Sequence, residues 1–134
     1  MNKKTNHKKC SFLMQTTDFS CIILAMIINF NEISETEIQH MHNGDSFICA
    51  KMMMTPESKV MYQRLPAGSS IGRHKMTNGS ETNYIISGSG SQICDGVEEV
   101  FSEGMCIYCP KDSSHSITNT GNSDLVLFTV ISLK

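Results

Sequence analysis

Apolar and polar positions along this chain recur mostly with a period of two. Val60–Leu65 alternates apolar and polar residues, as a half-buried strand does. Ser46–Met54 is more continuously apolar and ends in Met52-Met53-Met54, a run that reads as core filling. Turn residues punctuate the runs. Thr55–Ser58 and Pro66–Ser69 separate strands, and Thr77–Ser80 joins a strand at Ser70–Met76 to one at Glu81–Ile86. Gly88 and Gly90 precede Ser91–Cys94. Asp95-Gly96 then predicts a hairpin into Val97–Phe101. Glu103-Gly104 turns into Met105–Cys109, which Pro110 ends. His115–Asn119, the loop Thr120–Ser123 and the closing run Leu125–Leu133 complete the pattern. About nine regularly spaced strands predict an all-β sandwich or barrel. The one helical turn expected lies over Glu32–Ile38.

The first 25 residues do not share this pattern. Lys3, Lys4, Lys8 and Lys9 open them, and an apolar run from Cys21 to Ile28 follows. That run is far shorter than the ~20 residues of a membrane helix. Asp18 and the lack of a clean cleavage site argue against a signal peptide. Residues 1–25 are therefore expected to be a disordered extension or an over-extended start, with one domain over residues 26–134.

The chain has 134 residues, 18 % of them charged, and a net charge of -2. This balance gives no basic surface for nucleic acid or acidic lipid. Six cysteines at irregular spacing, with no export signal, predict free thiols and a cytoplasmic protein. Cys106 and Cys109 form a C-x-x-C, but on a strand that spacing sends the two side chains to opposite faces.

Two stretches carry candidate chemistry. Gly68–Gly88 contains His74 and Glu81, and Gly104–Asn119 contains His115. His74 and Met76 share a strand face. Glu81 opens the next strand and is placed to face His74 across a hairpin, with His115 on a later strand beside it. Two imidazoles and a carboxylate with open positions suit a divalent transition metal. His40 and His42, beside Asn43-Gly44, read as exposed loop residues. Tyr62 and Arg64 share a strand face, either lining the interior, where the arginine meets an anionic substrate, or facing solvent. Asn83, two residues from Glu81, is a pocket candidate. Met76, Ile85, Ile107 and Phe128 are expected as apolar lining.

The two stretches resemble the two motifs of the cupin superfamily. The first motif reads G, five residues, H-x-H, three or four residues, E, six residues, G. Gly68, His74, Glu81 and Gly88 match it. The second reads G, five residues, P-x-G, two residues, H, three residues, N. Gly104, Pro110, His115 and Asn119 match it, and the similarity is strongest to small single-domain bacterial cupins. The resemblance implies a double-stranded β-helix, or jelly roll. It also implies a site in the barrel mouth on His74, Glu81 and His115.

Two departures matter. Met76 stands where the family has its second motif histidine, and Asp112 stands where it has glycine. Met76 is either a ligand for a soft metal or a pocket residue. Aspartate tolerates left-handed turn geometry. Asn119 is expected to cap the motif's turn. The metal expected is iron, manganese, zinc, nickel or copper. Two functions stay open: a metal-dependent enzyme of oxygenase or isomerase type, and a non-catalytic binder of a sugar or other effector with a degenerate or absent metal site. A homodimer, paired through exposed sheet edges, is expected and excludes neither.

Overall fold

A computed structural model describes residues 26–133. The expected extension over residues 1–25 lies outside the described residues. Ten strands follow one another: β1 (Thr36–Gln39), β2 (Phe47–Met54), β3 (Ser58–Leu65), β4 (Ser70–Lys75), β5 (Glu81–Ser87), β6 (Ser89–Cys94), β7 (Val97–Ser102), β8 (Cys106–Cys109), β9 (Ser114–Asn119) and β10 (Leu125–Ser132). One sheet has six strands in the order β1-β2-β3-β10-β5-β8, and the other has four in the order β4-β9-β6-β7. Every pairing is antiparallel. The two sheets close face to face as a jelly-roll barrel. Leu65, Leu125, Leu127 and Ile85 from the larger sheet meet Ile71, Phe101 and Ile117 from the smaller. Among the described residues no helix is long and apolar enough to cross a membrane.

The Asp95-Gly96 hairpin forms as its sequence predicts, with φ of 47° and 83°, both in the left-handed region that two-residue turns require. The expected helical turn over Glu32–Ile38 does not form. Phe30–Glu32 makes a 3-10 turn, started by the Asn29 side chain accepting from the Asn31 N–H. Thr36–Gln39 pairs with β2 as an edge strand. Unpaired backbone on β2 and the β-branched Thr36 and Ile38 favour extension there. The methionine run is also corrected: Met52 and Met53 are half-buried and Met54 is exposed, because β2 runs out past the core.

On β3 the buried side chains are Met61, Gln63 and Leu65. Tyr62 and Arg64 therefore point away from the barrel interior, which corrects the pocket reading of both. Tyr62 stacks at 6.1 Å on Phe30, which also packs on Phe128. Phe128 is thus no lining residue either, being the direct neighbour of Tyr62 on β10. Arg64 pairs with Glu35 at 2.8 Å and Asp124 at 3.1 Å. Its charge fastens the segment before β1 to the outside of the larger sheet.

Candidate metal centre

His74 lies on β4 and His115 directly opposite it on β9. A bulge makes this possible. The register runs Ile71↔Ile117 and then His74↔His115, so Gly72 and Arg73 together oppose Ser116. Without the extra residue, strand parity would send Ile71 and His74 to opposite faces. With it, both reach the interior. Glu81 opens β5 in the other sheet, beside Cys109 and Ile131. The Thr77–Ser80 connection crosses between sheets, so Glu81 meets His74 across the barrel and not across a hairpin.

The three side chains offer ligand atoms that lie within 4.8 Å of one another. Glu81 Oε2 is 3.4 Å from His74 Nε2, and Oε1 is 3.4 Å from His115 Nε2. The two Nε2 atoms are 3.2 Å apart. The outer nitrogens decide the tautomers. His74 Nδ1 faces the Gly72 carbonyl at 2.9 Å, which can only accept, so Nδ1 carries the proton. His115 Nδ1 faces Gln92 Oε1 at 3.2 Å. That amide is oriented in turn, because Gln92 Nε2 donates to the Glu99 carboxylate at 2.7 Å. Both neutral rings therefore aim a lone pair inward. Two lone pairs at this distance repel unless a proton or a cation lies among the three groups. Imidazoles held from behind in this way are how proteins prepare histidine for a metal, and the donor set fits a divalent ion.

Titration follows the same geometry. Burial resists the Glu81 charge, yet His115 and His74, which donate to it through Nε2 when their rings take up a second proton, outweigh it and hold its carboxyl far below the ordinary 4.5. Burial also resists a charge on His74, but the hydrogen bonds to Glu81 and Gly72 raise it above the ordinary 6.5.

A cavity of about 80 Å³ opens onto His74 and Glu81, and His42, Lys59, Gln63 and Met76 also line it. That volume holds several waters or one small molecule. Met76 is buried and lines the cavity, so the position of the family's second histidine is an apolar wall. His42 is exposed, as its loop position predicts, and its ring also stacks on His74 with centroids 4.3 Å apart, a contact the sequence did not suggest. Burial and the neighbouring His74 hold its titration below the ordinary 6.5.

The His42 loop is held by backbone contact. A Cβ on Gly72 would lie 2.0 Å from the His42 carbonyl oxygen, and one on Gly44 would lie 2.1 Å from that of Ser70. His40, His42, Asn43 and Ser46 all take positive φ, which gives this loop no period to read. The pair of glycines, Gly44 and Gly72, was the available signal for His42, and it becomes legible only when the two segments are seen to touch.

Asn83 is buried behind the site, where its Nδ2 donates to Glu81 Oε1 at 2.9 Å. Asn119 caps the motif's turn, donating to the Leu65 and Ser123 carbonyls and accepting from the Gly121 N–H. Asp112 adopts a φ of 70°, the left-handed turn its place in the motif requires. Cys106 is exposed and Cys109 buried, on opposite faces of β8. The Cys94 sulfur lies 3.9 Å from that of Cys109, across the two sheets.

A family model described as the cupin domain matches residues 61–131, about half of the chain. The chain belongs to the cupins. This cupin is 32 % identical to the oxalate-binding protein of Thermotoga maritima over 81 % of its own length and 94 % of the relative's. It is 30 % identical to a crystal structure described as a predicted oxalate decarboxylase from Thermotoga maritima, with a TM-score of 0.76 over 81 % of this chain and all of that one. The cupin domain of Schizosaccharomyces pombe Cnp3 has a TM-score of 0.67 at 12 % identity, over 79 % of this cupin and 72 % of that chain. That last likeness is one of fold.

Proposed function

We propose that this cupin holds a divalent transition metal on His74, Glu81 and His115 and uses it to bind a small carboxylate. The observation that carries the reading is the pair of Nε2 atoms, 3.2 Å apart beside a buried carboxylate. The relative named for oxalate binding, alike over nearly its whole length, supports a carboxylate as the ligand. The metal would act as a Lewis acid on the ligand's oxygens. The chain's own residues do the rest. Gly72 and Gln92 orient the rings. Met76 excludes water from one wall, Lys59 brings a positive charge to another, and His42 narrows the approach to His74.

Binding without catalysis is the first reading, because among the described residues the only carboxylate on the cavity wall is Glu81, which is committed to the site. One observation favours a catalytic second reading. His42 brings an imidazole with a lowered pKa to the cavity, where it could carry a proton. The solved relative described as a predicted oxalate decarboxylase agrees with that alternative.

Elemental mass spectrometry on tag-free protein tests the site. About one metal per chain is expected in wild type, lost in Glu81→Ala and retained in Met76→His. Oxalate should then raise the melting temperature of the loaded wild type only. A metal-free wild type that loads only as Met76→His would mean that the methionine has abolished the site.

A further inference from the structure

Two free thiols stand next to the metal ligands. Cys94 ends β6 directly opposite His115 on β9, and Cys109 ends β8 directly opposite Glu81 on β5. Residues paired across a ladder send their side chains to the same face. Both sulfurs therefore enter the barrel on the side of the ligands, one from each sheet, and they come within 3.9 Å of each other.

The two differ in access. Cys94 is half-buried and is followed by the exposed Asp95-Gly96 turn, so its sulfur is the one a reagent from solvent meets first. Cys109 is fully buried. Its sulfur lies 3.8 Å from the Pro110 carbonyl, which can only accept, so the thiol donates there and turns a lone pair toward Cys94. A disulfide holds its sulfurs about 2.0 Å apart, so closure asks for a movement of roughly 2 Å shared between two side chains. Cys106 is exposed on the other face of β8 and takes no part.

We propose that Cys94 and Cys109 form a reversible redox site, at which a small-molecule disulfide of the glutathione type converts the two thiols into a disulfide joining the two sheets. Cys94 attacks as the thiolate and forms a mixed disulfide, releasing one small thiol. Cys109 then attacks the Cys94 sulfur and releases the second. The protein gives up two electrons and two protons, and the oxidant leaves as two thiols. A dithiol reductant reverses both steps. The new bond closes a loop of about 15 residues and so constrains the unfolded chain. It holds the two sheets together whatever occupies His74, Glu81 and His115, and the inference is independent of the metal and carboxylate readings above.

The full chain, purified reduced, tests this. It is treated with oxidised glutathione in mildly alkaline buffer, blocked with N-ethylmaleimide and cleaved without reduction after glutamate and tyrosine. Glu98, Glu99 and Glu103 part Cys94 from the other two cysteines, and Tyr108 parts Cys106 from Cys109. Mass spectrometry should find the Cys94 and Cys109 peptides linked within one chain, and dithiothreitol should release them. The oxidised protein should melt roughly 5–10 °C above the reduced protein, with chelator present in both. Cys109→Ser should stop at the mixed disulfide on Cys94. The wild-type mapping keeps the test open if that variant does not fold. A mixed disulfide that persists on Cys94 in wild type, a link from Cys94 to Cys106 or to a second chain, or an oxidised protein that melts no higher than the reduced one would each overturn the proposal.

Discussion

His115 and Gln92 are bonded at 3.2 Å, and that one contact decides which nitrogen of His115 faces the barrel interior. Gln92→Leu removes it while keeping the volume. His115 is fully buried, so its Nδ1–H would be left without a partner, at a cost of about 1–3 kcal/mol. The ring would be free to protonate Nε2 instead. Metal affinity should fall on the order of 10–100-fold, the usual effect of losing a residue that orients a ligand. Competition against a chelator measures it, and an unchanged affinity would show that the amide does not set the tautomer.

Stability without metal should peak in mildly acidic solution. Glu81 titrates below its ordinary 4.5 in the fold, so its contribution is present above 4.5 and is lost as pH falls through the depressed value. His74 titrates above its ordinary 6.5, so its contribution is full below 6.5 and is lost as pH rises through the raised value. These two groups place the highest melting of the stripped protein between 4.5 and 6.5, and His42, whose titration is lowered, draws it toward the upper end of that range. Metal should reverse the alkaline side, because binding displaces the proton that the site otherwise shares. Melting curves with and without chelator across that range are the check, and parallel curves on the alkaline side would count against a metal site.

Gly72→Ala should be costly for a residue so small. Its methyl would meet the His42 carbonyl at 2.0 Å, and backbone cannot swing aside as a side chain can. A loss on the order of 2–3 kcal/mol is expected, in the overpacking range. Arg73→Ala, one position on and exposed, should stay within about 0.5 kcal/mol. Denaturant titration of the two variants side by side tells them apart. Faster proteolysis near His42 in Gly72→Ala alone would place the damage in that loop.

Arg64→Ala separates the outside of the larger sheet from its inside. The arginine pairs with Glu35 and Asp124 and is about a third exposed, so its loss should cost about 1 kcal/mol or less. Metal content and oxalate binding should not change. A marked loss of anion binding with the fold intact would return Arg64 to the pocket.

The strand pattern made most of this fold readable, because antiparallel strands with one wet face keep a period of two. His74, Glu81, His115 and Asn119 stood out through their spacing from motif glycines. What alternation does not encode is which of two faces is inside. On β3 the arginine drew attention to Tyr62 and Arg64, yet Met61 and Leu65 flank Gln63 and take it inward. The bulge at Gly72–Arg73 is equally silent, since one extra residue reverses parity without changing composition. Cys94 and Cys109 meet only through the closure of the two sheets.

The placement of His74 and His115 on one sheet and Glu81 on the other makes the site a clasp between two leaves. Anything held there ties the leaves together at their open end. Metal supply would then govern how long the barrel survives heat, by an amount that grows with the logarithm of free metal over its dissociation constant. The organism's metal status would be written into the lifetime of this protein before any ligand arrives.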